Sequence, residues 1–71
     1  MNKIKEMRNK LGYSVYKLSE ITGLTPSYIS NLENGNRTNP SKVAMEKIAE
    51  SLGHTVTEVF FPDENPGREV S

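Results

Sequence analysis

At 71 residues the chain can hold one small domain, burying roughly 60% of the surface its unfolded form exposes, and a second catalytic or ligand-sensing domain is not expected within it. It has no cysteine and a single histidine, His54, which excludes a disulfide framework, a thiolate zinc site and a multi-histidine metal cluster, so packing must hold the fold and no cofactor is expected. The net charge is zero, but residues 1–42 carry seven Lys and Arg against three acids while residues 43–71 carry two against six. The chain should therefore be a dipole with a basic first part.

Met1 to Glu6 lack the apolar stretch of a signal peptide, and no window approaches the ~20 apolar residues of a membrane span, so a soluble cytoplasmic protein is expected. Ile4, Met7 and Leu11 then recur at i, i+3 and i+7, the stripe of a first helix ending before Gly12. Ser14 is an N-cap for a second helix with Val15, Leu18 and Ile21 inward, stopped by Gly23. Thr25 caps a third. Pro26 takes the first helical position, where its missing N–H costs nothing, and Ile29 with Leu32 forms the inner face up to Asn34-Gly35. Asn36 to Asn39 form a polar loop. A fourth helix starts near Pro40 or Ser41, buries Met45, Ile48, Ala49 and Leu52, and ends at Gly53. Thr55 and Glu58 have capping-box spacing for a last short helix contributing Val56, Val59 and Phe60. The Pro- and acid-rich tail, residues 62–71, is expected to be mobile, leaving a domain over residues 1–61.

The segment from Leu18 to Gly35 carries the functional signal. A small Ser19, a turn glycine four residues on and an apolar Ile29 let two short helices cross closely at a steep angle. From Ile21 to Met45 the only acid is Glu33, and nine of the 17 residues from Thr25 to Ser41 are Ser, Thr or Asn. Such a surface can lie against phosphates without repulsion and offer donors and acceptors to base edges, so double-stranded DNA is the expected partner.

These residues resemble the Cro and phage-repressor type of helix-turn-helix, the XRE family of bacterial and phage regulators, over about residues 2 to 61. The likeness rests on Met7-Arg8 before Leu11-Gly12, Leu18-Ser19 with Gly23, Tyr28-Ile29-Ser30 followed by Leu32-Glu33-Asn34-Gly35, Asn39-Pro40-Ser41, and Ile48-Ala49 with Leu52-Gly53. It implies an all-α, compact five-helix lambda-repressor-like domain whose helices 2 and 3 form the motif, with helix 3 in the major groove. It also implies that Glu33 pairs with Arg8 in helix 1 to pin helix 3 to the scaffold. Two departures stand out. Val15 replaces the glutamine that in many members contacts phosphate, so that contact either comes from Ser14 or backbone N–H groups or is lost. Pro26 stands where phage members often carry a base-reading polar residue.

With Ile29 and Leu32 inward, Ser27, Tyr28 and Asn31 fall on the outer side of helix 3 and become the candidate base contacts. Asn31 leads, because its amide can pair bidentately with adenine. Tyr28 offers a ring to a thymine methyl or a hydroxyl to a phosphate, or packs on helix 2. Thr25, Asn34, Asn36, Arg37, Thr38 and Asn39 join Ser14 as candidate backbone contacts, with Lys42 and Lys17 weaker ones of the same kind.

One domain of this size makes few base contacts, so a homodimer on a two-fold related operator is expected, with repression as its output. Val59, Phe60 and Phe61 cannot all point into one core, and Phe61 either faces a partner subunit or covers the core edge before Pro62. An enzyme is not expected, since no nucleophile and base pair or glycine-rich phosphate loop can be assembled. The rival class is an antitoxin or other protein-interaction module on the same fold, with a protein partner in place of DNA or beside it.

Overall fold

A computed structural model describes residues 2–36 and 39–62. It shows five helices: α1 (Ile4–Lys10), α2 (Val15–Thr22), α3 (Pro26–Glu33), α4 (Lys42–Leu52) and α5 (Val56–Phe60). No strand occurs among the described residues, and the expected all-α, five-helix architecture is what is found. The expectations for Arg37, Thr38 and tail residues 63–71 lie outside the described residues.

Local chemistry accounts for the helix boundaries. Ser14, Thr25, Ser41 and Thr55 sit in extended backbone, and their side-chain oxygens accept the backbone N–H of Lys17, Tyr28, Ala44 and Glu58. Each satisfies a donor that its helix leaves orphaned. Thr55 and Glu58 complete the capping box in both directions. Gly23 and Gly53 end α2 and α4 at φ of 80° and 78°, in the left-handed region where a Cβ would be strained.

The start of α1 is held by tertiary bonds as well. Asn2 Oδ1 accepts from the Ile4 N–H (3.2 Å), while Asn2 Nδ2 donates to the Leu32 carbonyl at the end of α3 (2.8 Å). The Lys3 N–H donates to the Val59 carbonyl in α5 (2.8 Å). One short segment therefore joins three helices.

α2 packs on α3 and α4, and α4 also supports α1 and α5. Ile4, Leu18, Ile29, Leu32, Ile48, Ala49, Leu52 and Val59 form the core. A fully buried aliphatic side chain contributes roughly 1.5–3 kcal/mol of transfer free energy. Ile29 and Leu32, both from α3, are among those fully buried, so the core itself fixes how α3 sits.

Three expected core residues are displaced. Leu11 is 48% exposed, because α1 ends at Lys10 and the Leu11 N–H closes a tightened last turn on Arg8 (3.1 Å). Ile21 is 44% exposed, and Thr22 is buried instead. The inner stripe of α2 runs Val15, Leu18, Thr22, the i, i+3, i+7 set. The Thr22 hydroxyl donates to the Leu18 carbonyl (2.8 Å) and accepts from the Leu24 N–H (3.2 Å), which removes the penalty of burying it. Met45 is only half-buried, at the margin of an α4 stripe that runs through Ala44, Ile48, Ala49 and Leu52.

Candidate nucleic-acid interface

A helix turns 100° per residue, so burying Ile29 and Leu32 swings Ser27, Ser30 and Asn31 to the opposite side of α3. Ser27 is exposed, and Ser30 and Asn31 are half-exposed. Tyr28 lies at the boundary: it is half-buried and packs against the core, so it is not the fully outward residue that the spacing predicted. The hundred-degree step from Ile29 accounts for this, since it leaves Tyr28 close to the side of Leu32.

Glu33 faces the other way. Arg8 Nε donates to Glu33 Oε2 (2.8 Å) and Arg8 Nη2 to Oε1 (3.0 Å), a bidentate pair. Arg8 Nη1 also donates to the Tyr13 carbonyl (2.9 Å). Both side chains are nearly closed to solvent, at 10% and 6% exposure, and hydrogen bonding to Glu33 raises the Arg8 guanidinium above its usual value. Burying two charges is tolerated here because each has found its partners. The consequence for the surface is direct. The one carboxylate between Ile21 and Met45 is taken out of the outer face, which would otherwise repel a polyanion.

The other described candidates sit in the first turns of α2, α3 and α4 and in the segment after α3. Ser14 and Thr25 stand at the starts of α2 and α3, where the helix dipoles favour an anion. Their oxygens already serve as caps, but each hydroxyl keeps a proton to donate. Asn34, Asn36 and Asn39 are exposed, and the Asn36 N–H donates back to the Asn31 carbonyl (2.9 Å), turning Asn36 back on the end of α3. Lys42 is exposed at the start of α4, and Lys17 makes only an open ion pair with Glu20 at 3.9 Å. Arg37 and Thr38, between Asn36 and Asn39, are the two candidates outside the described residues.

Three contributions were missed by local sequence reasoning. Asn2, a residue type suited to capping, ties the carbonyl of Leu32 to α1; nothing in the local sequence signals the second bond. The Ser19 hydroxyl donates to the Leu24 carbonyl and so braces the turn between α2 and α3, beyond the small size for which it was singled out. Finally, the starts of α2 and α3 enclose an open hollow of about 330 Å³ lined by Val15, Tyr16, Pro26, Ser27 and Ser30. Among the described residues no His, Cys, Asp and Glu cluster could hold a metal ion, and no helix is long and apolar enough to cross a membrane.

A family model for the helix-turn-helix matches residues 4–59, from the first core residue of α1 to the last of α5. The chain belongs to the XRE-type helix-turn-helix family. Within this helix-turn-helix family it is 35% identical over 63 residues to the uncharacterized HTH-type transcriptional regulator YgzD of Bacillus subtilis, covering 89% of this chain and 94% of YgzD. It is 37% identical over 57 residues to the HTH-type transcriptional regulator SlrR of Bacillus subtilis, covering 80% of this chain and 38% of SlrR. The chain thus spans well under half of SlrR. Among solved structures, SinR in complex with DNA, the master regulator for biofilm formation, superposes with a TM-score of 0.73 at 39% identity, covering 76% of this chain and 86% of that one. A SinR protein/SinI protein complex gives a TM-score of 0.81 at 33% identity, covering 90% and 62%.

Proposed function

We propose that this chain binds double-stranded DNA in a sequence-specific manner as a transcriptional regulator, with α3 in the major groove. The observation that carries this is the bidentate capture of Glu33 by Arg8 (2.8 Å and 3.0 Å), which leaves the hydroxyls and amide of Ser27, Ser30 and Asn31 on a face of α3 free of acid. Asn31 is the adenine reader and Ser27 an adaptable second contact, while Tyr28, half-buried, meets a thymine methyl or a phosphate. Ser14, Thr25, Asn34, Asn36, Arg37, Thr38 and Asn39 hold the flanking phosphates and set the register. The likeness to SinR, a protein solved in complex with DNA, supports DNA as the partner. Residues 1–61 are the binding unit, with no catalytic step.

Output is repression, because a domain that fills the groove excludes a polymerase without needing any further contact. Binding is by two copies on half-sites about 34–36 Å apart, since a single α3 offers too few base contacts for useful specificity. Phe61, 44% exposed beside the buried Val59, is available to the second copy. The same exposed ring, with the SinR protein/SinI protein complex among the structural neighbours, favours a second reading in which a protein partner antagonises or replaces DNA binding.

Selection of duplexes from a random pool, followed by salt titration of the winner, tests the proposal. The expected result is an enriched half-site and a log-log slope near −0.9 per phosphate neutralised. No enrichment, with no affinity for duplex at low salt, rejects DNA binding and leaves the protein-interaction reading.

A further inference from the structure

We propose that the hollow between the starts of α2 and α3 is a thymine-methyl slot, which makes the half-site under α3 rich in A·T pairs. This rests on the DNA-binding reading above and adds to it the chemistry of the sequence that is read. The slot is lined by Val15, Tyr16 and Pro26 together with the hydroxyl-bearing Ser27 and Ser30, with a volume of about 330 Å³.

Three observations converge on that occupant. Among the described residues Tyr16, 75% exposed, is the most open of the large apolar side chains, and it lines the hollow with Ser27 and Ser30 instead of covering the core. Val15 and Pro26 present alkyl surface to the hollow, and Pro26 has no N–H to donate, so an alkyl group meets a fitting wall there. The lining holds no charged side chain, and it belongs to the part of the chain with the basic excess, so a polyanion can approach while only its apolar features settle in the slot.

In the major groove the apolar feature is the C5-methyl of thymine. The composition of α3 narrows the choice further. Pro26 to Glu33 contain no Lys or Arg to fork onto guanine O6 and N7, and the one carboxylate that could accept from cytosine N4 is held by Arg8. What α3 retains is Asn31 for adenine and the slot for its thymine partner or neighbour. The comparable hollow on the other side of α2, about 370 Å³ and lined by Ile21, Thr22, Lys47, Glu50 and Ser51, contains a carboxylate and lacks this character.

The test uses the full chain and its selected duplex, with each thymine replaced in turn by deoxyuridine, which lacks only the methyl group. At one or two positions per half-site the replacement should weaken binding by about fourfold, the value of one buried methyl group. Tyr16→Ser and Val15→Gln should each bind the thymine and deoxyuridine duplexes alike at those positions, with circular dichroism melts confirming that the exposed Tyr16 variant remains folded. Deoxyuridine tolerated at every position by the unmodified protein overturns the slot while leaving DNA binding intact. So does a methyl effect that survives in both variants, which would put the methyl contact elsewhere, such as at Tyr28, or a selected half-site of G·C pairs under α3. Failure to bind any duplex overturns the slot together with the reading it rests on.

Discussion

Along its inner edge α3 carries groups whose bonds are complete: Ile29 and Leu32 in the core, Glu33 on Arg8, and the Leu32 carbonyl on Asn2. Along its outer edge Ser27, Ser30 and Asn31 face outward, and Ser27 and Ser30 line an open hollow. The contrast separates two kinds of residue on one eight-residue helix. Inner residues set where the helix is, so changing them alters stability and binding together. Outer residues set what the helix recognises, so changing them alters binding alone.

The sharpest way to break that division is at its strongest inner contact. Glu33→Ala strands the Arg8 guanidinium in a nearly closed site, and loss of one member of a buried pair costs on the order of 3 kcal/mol. In a domain this small that is a large fraction of the total, so thermal melts should show a marked drop in Tm and DNA affinity should fall with it. A variant with unchanged Tm would mean that Glu33 does not anchor α3.

Asn31→Ala probes the outer edge. Its melt should match the unmodified protein, as surface substitutions stay within about 0.5 kcal/mol, while preference at one base position should fall by roughly 1–3 kcal/mol in a duplex selection. Preference retained at all positions would remove Asn31 from the base contacts. Asn2→Ala returns to the inner edge at smaller cost. Losing its bond to Leu32 should take about 1 kcal/mol from stability in denaturant unfolding, and affinity should weaken for all duplexes without any change in which is preferred.

The smallest effect lies at the start of α5. The Thr55 N–H donates to Glu58 Oε1 (2.9 Å), and His54 Nδ1 lies 3.1 Å from the same oxygen; the first of these bonds, aided by the second, holds the Glu58 carboxyl below its usual range. A carboxyl lowered on folding stabilises above its unfolded pKa and loses that contribution as pH falls through the folded value. The Tm difference between the unmodified protein and Glu58→Gln should therefore shrink as the pH drops below the ordinary carboxylate range. A constant difference would show that the box makes no pH-dependent contribution.

How far the sequence reached depended on whether the deciding interaction was local. Ser14, Thr25, Ser41 and Thr55 act within three residues of themselves; the caps at Ser14, Thr25 and Thr55 lie where the sequence placed them, and Ser41 caps the helix whose start the sequence left at Pro40 or Ser41. Leu11 and Ile21 matched an apolar pattern yet face out, because helix length and the competing stripe through Thr22 decide which side of a helix is covered. The base contacts follow from the inner face of α3 and could be proposed as soon as Ile29 and Leu32 were placed. Tyr28 sits between the two faces, where a periodicity of 3.6 residues does not choose a side.

By itself the amino-acid order determined the number of helices, their caps and the acid-poor character of the segment around α3, since propensity, capping and charge act over a few neighbours. Only the tertiary structure decided that Asn2 holds the end of α3 and that Val15 and Tyr16 share a hollow with Ser27 and Ser30. It also put bond lengths on the Arg8 and Glu33 pair, which resemblance alone had suggested. Those relations join residues distant in the chain, and they exist only once packing has fixed the distances between helices.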